Sequence, residues 1–297
     1  MLKTGLPSHL WFEPTNTCNA RCPLCPTGSE QLARPSAFLD FDLYKKIVDE
    51  VQPRTINFWN YGEPFLHPDI FDMFRYANSR GARTCVSTNG FVFYKPDNIQ
   101  RLLDSGLHTL MVAIDGTDAE TFNQYRVGVD FDKVMQGLRS LAQHRPFNLE
   151  VIWQFIVMRH NEHQIQQARA MAQELGVKFA LKAVSLDMLP QRADPHEHLP
   201  LDQRLSRYEW QNEALVLKGG LHSCYFVNAT LMINADGSVA PCCFDAQGLL
   251  TLGKAQTQSI HEIWNGQALQ ELRSRLQHER DSLSPCNHCS VGSKFFL

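Results

Sequence analysis

The feature that most restricts this chain is a repeat: short apolar runs alternate with amphipathic segments from residue 8 to about 184. The strand candidates are His9–Glu13, Thr55–Trp59, Arg83–Ser87, Thr109–Ile114, Glu150–Val157 and Lys178–Val184. Between them, apolar side chains at helical spacing predict helices over Asp42–Val51, Pro68–Ser79, Asp97–Ser105, Asp132–His144 and Glu162–Leu175. Asn161 stands where the last helix needs an N-cap, and Gly176 where a left-handed residue closes it. One strand–helix unit per roughly 30 residues predicts a parallel sheet with helices outside it. Whether that sheet stays open or curls toward a barrel is not decided by the pattern.

The character changes after Val184. Leu186–Pro200 carries three prolines among charged residues and histidines and reads as a linker. A helical stretch over Leu201–Leu217 is expected next. A hairpin follows, Thr230–Asn234 and Ser238–Pro241 about Asp236-Gly237, and then a last helix over Ser259–His278. These readings divide the chain into residues 1–190 and 191–297. Lys plus Arg number 28 against 31 Asp plus Glu, a formal charge of −3, so no basic field exists to gather nucleic acid. No apolar run is long enough to span a membrane, and the first residues lack a secretory apolar core. A cytoplasmic setting is therefore expected, where clustered cysteines serve metal or redox chemistry rather than cross-links.

The nine cysteines are clustered. Cys18-x3-Cys22-x2-Cys25 occupies the loop leaving the first strand. Three thiolates on one short loop can hold a cubane cluster and leave one iron open to a ligand. The alternative is zinc, which wants four ligands, and no fourth cysteine or nearby histidine follows. Polar motifs end the next three strands: Tyr61-Gly62-Glu63-Pro64, Ser87-Thr88-Asn89-Gly90 and Ala113-Ile114-Asp115-Gly116. Strand ends of this kind are where α/β folds bind ligands. Glu63 suits an amine, while Asn89 and Asp115 suit hydroxyl and carboxylate or amide edges.

The cysteine spacing together with Gly62-Glu63-Pro64 resembles the core of the radical S-adenosylmethionine (SAM) enzymes. The resemblance implies a partial (β/α)6 TIM-like barrel, an α/β fold. It also implies a 4Fe–4S cluster on Cys18, Cys22 and Cys25 whose open iron chelates SAM. That family's second-strand motif is often Gly-Gly-Glu; Tyr61 departs from it. Leu24 likewise stands where an aromatic residue commonly packs near the adenine. By resemblance, Glu63 (with Gly62) meets the methionine amine, Ser87 and Asn89 the SAM-binding rim, and Asp115 the ribose. Arg126 pairs with the methionine carboxylate, and Gln154 on the fifth strand is a further rim candidate.

Cys224, Cys242, Cys286 and Cys289 remain toward the C-terminus, beside Cys243. By spacing alone they fit a fully ligated 4Fe–4S cluster or a four-thiolate zinc site equally. The arrangement resembles the SPASM or shortened "twitch" auxiliary domain, a small α+β unit with a hairpin. With the chain ending eight residues past Cys289, one auxiliary cluster rather than two is expected.

The resemblance implies SAM cleavage to a 5′-deoxyadenosyl radical, hydrogen abstraction from a substrate, and an electron donor of flavodoxin or ferredoxin type. The single four-cysteine site resembles that of aminocyclitol dehydrogenases, which points to a sugar-like small molecule. An epimerase would use Cys243 as the thiol hydrogen donor. A ribosomal-peptide maturase is the alternative, although only 17 residues precede Cys18, too few for a peptide-recognition domain. A non-catalytic zinc adaptor is the reading from another class. Cys85 is expected to be a buried apolar filler of the third strand. Arg159, Lys182 and Arg192 fall near the expected barrel mouth.

Overall fold

The computed structural model describes residues 5–189, 193–219 and 224–289. Its strands are β1 (His9–Phe12), β2 (Thr55–Phe58), β3 (Arg83–Thr88), β4 (Thr109–Ala113), β5 (Glu150–Val157), β6 (Lys178–Ala183), β7 (Tyr208–Gln211), β8 (Ala214–Leu217), β9 (Thr230–Ile233), β10 (Ser238–Ala240) and β11 (Gly253–Lys254). All six early strands and the five expected helices form. The helices start where aspartates supply acceptors to bare N–H groups: Asp40 takes Leu43 N–H and Asp130 takes Lys133 N–H. Gly176 closes the sixth-strand approach with φ of 65°, as expected.

The chain forms two compact units. One comprises Met1–Thr17, Leu32–Cys85 and Leu221–Ser293; the other comprises Cys18–Gln31, Val86–Gly220 and Lys294–Leu297. The first unit orders its strands β11-β10-β9-β1-β2. β1 pairs parallel with β2 on one side and parallel with β9 on the other, Phe12 facing Phe58 and Ile233. The expected hairpin therefore exists as β9 and β10, but its first strand extends the sheet begun at the N-terminus. Leu10, Phe12, Ile56 and Phe58 are buried, and Tyr44 packs edge-on to Phe12. Their alternates Trp11, Asn57 and Trp59 are half-buried, Trp11 packing against Trp59 and Phe226, whereas every residue of β9 is buried.

In the second unit β5 lies between β4 and β6, both parallel to it. β5 alternates buried and half-buried residues along its whole length, with Trp153 and Phe155 fully enclosed. A separate antiparallel pair, β7 with β8, replaces the helix expected over Leu201–Leu217. Asn212 and Glu213 both take positive φ, 47° and 66°, the two-residue turn that suits strand twist. The last expected helix is also two, Ile260–Asn265 and Gln267–His278, broken where Gly266 is extended. Cys85 departs from expectation as well: it is half-buried, on the face of β3 opposite Thr84 and Val86.

Candidate functional site

In the second unit the three-cysteine loop is fastened from several directions. Arg21 N–H donates to Val127 O at 2.8 Å, and Asn89 Nδ2 donates to Asn19 Oδ1 at 2.9 Å. Asn89 Oδ1 also accepts Phe91 N–H, so a side chain fixed at the end of β3 braces the loop. Gly28 lets the loop fold on itself: a Cβ there would sit 2.4 Å from Cys22 N. Ala20 N–H donates to Cys18 Sγ at 3.4 Å, and Arg126 reaches Cys22 Sγ at 3.6 Å. Burial pushes the Cys22 thiol up, and Arg126 opposes that shift. Arg126 itself stays charged: burial works against it, but Asp115 and Cys22 outweigh the cost. Leu24 is buried beside these cysteines in sequence, as an apolar contact requires.

Asp115, just after β4, is held on both oxygens. Its side chain is 0% exposed, with one oxygen taking Ile156 N–H and the other taking Arg126 Nε, both at 2.6 Å. It orients Arg126 and ties β4 to β5. Arg126 in turn faces Asp115 and Cys22. Asn161 is not a side-chain N-cap. Its amide takes Met158 N–H and donates to Asp115 O and Ile156 O, clamping the ends of β4 and β5. Ser87 and Gln154 are half-buried, Gln154 donating toward the Met111 sulfur at 3.8 Å. Arg159 and Lys182 are exposed, and Arg192 lies outside the described residues.

In the first unit the motif after β2 is fixed by close contact. Gly62 has φ of 145°, and a Cβ would lie 2.1 Å from Thr15 O, so the turn admits glycine alone. Glu63 is buried; its N–H donates to Thr17 O and its carboxylate caps the turn at Phe65 N–H. Beside this turn lies a group that spacing did not reveal. Glu13, at the end of β1, pairs with Arg34 and also takes the N–H groups of Tyr61 and Ala235. The signal for it was a lone carboxylate closing an apolar strand, Leu10-Trp11-Phe12-Glu13.

The same unit carries the second cysteine set. Cys224, Cys242, Cys243, Cys286 and Cys289 are all partly buried. Cys242 lies within electrostatic reach of Cys243, Cys289 and Cys224, and Cys286 within reach of Cys289 and Cys224. Burial and the neighbouring thiols push Cys286 up to about 11 and Cys242 well above the ordinary thiol range. Among the described residues no three His, Cys, Asp or Glu side chains draw close enough to share a single ion. The donor chemistry of both sets fits iron–sulfur binding: soft sulfur ligands, with Arg126 near the first set and Arg280 near the second to offset thiolate charge.

Residues 12–172, more than half of the chain, match the radical SAM superfamily. Residues 224–290 match the SPASM iron–sulfur cluster-binding domain. The chain belongs to the radical SAM superfamily and is an enzyme of that class, with the superfamily's α/β fold and a C-terminal SPASM-type domain. SAM, its 4Fe–4S cluster and auxiliary iron–sulfur binding come with that membership.

The AdoMet-dependent heme synthase of Methanosarcina barkeri is 30% identical over 177 residues, covering 58% of this chain and 49% of that protein. This chain thus matches about half of that relative's length. The mycofactocin maturase MftC of Mycobacterium ulcerans is 25% identical over 311 residues, covering 95% of this chain and 80% of that protein. Among solved structures, BtrN in complex with AdoMet and 2-DOIA superposes with a TM-score of 0.59 at 16% identity, covering 98% and 99% of the two chains. SuiB of Streptococcus suis bound to precursor peptide SuiA gives 0.69 at 14% identity, covering 96% and 70%. At such identities the two structures speak to fold alone. No helix among the described residues is long and apolar enough to cross a membrane.

Proposed function

We propose that this enzyme oxidises a carbinol carbon of a small polyhydroxylated molecule, of the sugar or aminocyclitol type, by hydrogen-atom abstraction. The observation that carries the reading is the pair of unequal thiol sets, Cys18, Cys22 and Cys25 on one loop and Cys224, Cys242, Cys286 and Cys289, with Cys243 beside them, in the other unit. Three ligands leave an iron open; four leave none, which suits electron exchange. In this reading residues 1–190 form the SAM core and 191–297 the auxiliary domain. Cys18, Cys22 and Cys25 hold the first cluster, and Cys224, Cys242, Cys286 and Cys289 the auxiliary one.

When bound, the clusters and SAM supply reductive cleavage to methionine and a 5′-deoxyadenosyl radical, hydrogen abstraction and one-electron exchange. The chain's own residues orient and shield. Asn89 and the Arg21 N–H hold the cysteine loop in one shape. Arg126, aimed by Asp115, places positive charge against Cys22. Glu63, held by the Gly62 turn, is assigned to the methionine amine, and Ser87 and Gln154 to the SAM rim. Cys243 is assigned as the thiol available to an epimerising variant of the reaction. A flavodoxin- or ferredoxin-type protein supplies electrons.

The similarity to mycofactocin maturase over 95% of the chain favours a second reading, modification of a peptide. The two separate on substrate. Anaerobically reconstituted enzyme with SAM and dithionite is offered aminocyclitols in one arm and precursor-type peptides in the other, in deuterated water. The proposal expects one 5′-deoxyadenosine per ketone formed on the cyclitol and no deuterium at the oxidised carbon. Turnover confined to the peptide arm overturns it in favour of the maturase. Deuterium at a cyclitol carbon, lost with Cys243→Ala, assigns epimerisation instead.

A further inference from the structure

Cys22 and Arg126 are held against each other by side chain and main chain together. Arg126 Nη1 lies 3.6 Å from Cys22 Sγ, within hydrogen-bond reach of a sulfur acceptor. One residue away on each segment, Arg21 N–H donates to Val127 O at 2.8 Å, so the backbone fixes the approach. Arg126 Nε is locked onto Asp115 Oδ2 at 2.6 Å, and the guanidinium carbon lies 5.1 Å from the Tyr125 ring centre. The backbone beneath it is pinned as well: Arg126 N–H donates to Phe122 O at 2.9 Å, and its carbonyl accepts Val129 N–H at 3.2 Å. Cys22 is 5% exposed and the Arg126 side chain 13%, so little water screens the cation from the sulfur.

The guanidinium bridges a carboxylate and a thiol through two different nitrogens. The pair with Asp115 is neutral overall, yet the group that meets the sulfur is its cationic half. Reduction of a cubane adds one negative charge, and a hydrogen bond or positive charge at a ligand sulfur favours that reduced state. A neutral side chain at position 126 offers no such charge.

We propose that Arg126 sets the reduction potential of the first cluster through Cys22, holding it less negative and so easing entry of one electron from a flavodoxin- or ferredoxin-type donor. Asp115 is the positioning residue that aims Arg126 in this role. The proposal rests on the assignment of Cys18, Cys22 and Cys25 to that cluster and deepens it. The effect is exerted on a ligand sulfur and needs neither SAM nor substrate.

The test is an EPR-monitored redox titration of the full, anaerobically reconstituted chain without SAM, with iron counted in every sample. Cys18→Ala identifies the first cluster as the signal it removes, and the signal that remains reports the auxiliary set. Arg126→Gln takes away the cation and strands Asp115, so it is expected to shift the first midpoint furthest to negative potential. Combining Asp115→Asn with Arg126→Gln keeps the pair neutral overall and leaves no stranded carboxylate to unfold the chain. The first midpoint of this double variant is expected between those of Arg126→Gln and the unaltered chain, with the auxiliary midpoint unmoved in both variants. A first midpoint that stays in place in the double variant, or that moves by the same amount as the auxiliary one, overturns the role of Arg126 alone. If Cys18→Ala removes no signal, the three-cysteine assignment falls and this proposal with it.

Discussion

The Glu13 carboxylate and the Arg34 guanidinium meet fork to fork, each terminal nitrogen 2.7 Å from its own oxygen, with side chains 0% and 7% exposed. Two backbone N–H groups, those of Tyr61 and Ala235, complete the carboxylate's shell. This single buried pair joins the end of β1, the turn after β2 and the β9–β10 connection. Removing one partner strands the other charge away from water, which costs about 3–5 kcal/mol. Arg34→Met is expected to lower unfolding free energy by that amount in urea titrations with an unchanged slope. A loss below about 1 kcal/mol, the range of a surface pair, would contradict the burial argument.

Arg126 and Asp115 form the corresponding pair in the other unit, at 2.6 Å. Arg126→Met leaves Asp115 enclosed and uncompensated, again at about 3–5 kcal/mol. Adding Asp115→Asn removes the stranded charge, so the double variant is expected to be more stable than Arg126→Met alone. Simple additivity of the two losses in a double-mutant cycle would show that the groups do not act as a pair.

Gly62 and Gly81 both have positive φ, 145° and 79°, but a Cβ at Gly62 collides with Thr15 O while one at Gly81 meets nothing within 4 Å. Gly81→Ala is expected to cost only the conformational penalty, about 1–2 kcal/mol. Gly62→Ala adds a backbone clash to that penalty and disturbs the turn that holds Glu63. Thermal or chemical denaturation ranks the two; equal losses would mean the close approach at Thr15 is not what selects glycine.

Asn89 donates to Asn19 Oδ1 and accepts Phe91 N–H. Asn89→Ala removes both part-buried bonds, at about 0.5–1.5 kcal/mol for each. The loop carrying Cys18, Cys22 and Cys25 then loses a brace. The expected outcome is lower iron retention after gel filtration with the auxiliary signal unchanged. Equal loss from both cysteine sets would point to general unfolding rather than a loosened loop.

Much of the fold was legible because its signals are local. The apolar run Glu150–Val157 marked β5 to the residue, and Gly176 marked a helix end. What spacing could not supply was the choice of distant partners. Nothing in the residues near Phe12 announces that it faces Ile233 across a parallel pair. The β7–β8 hairpin was missed because its turn, Asn212-Glu213, lacks glycine and its flanks also suit a helix. At the site, spacing gave residue types but not their partners within the protein. The bonds of Asp115 to Arg126 and Ile156, of Asn89 to Asn19 and Phe91, and the Glu13–Arg34 pair all rest on contacts that only the folded chain creates.

The central claim is that the loop of Cys18, Cys22 and Cys25 holds a cluster that opens SAM. The most direct measurement is 5′-deoxyadenosine released from SAM by anaerobically reconstituted protein and dithionite, with Cys22→Ala alongside. The account predicts 5′-deoxyadenosine and methionine in equal amounts from the unaltered chain and none from the variant. No 5′-deoxyadenosine from protein with its full iron complement, or equal amounts from Cys22→Ala, would contradict it.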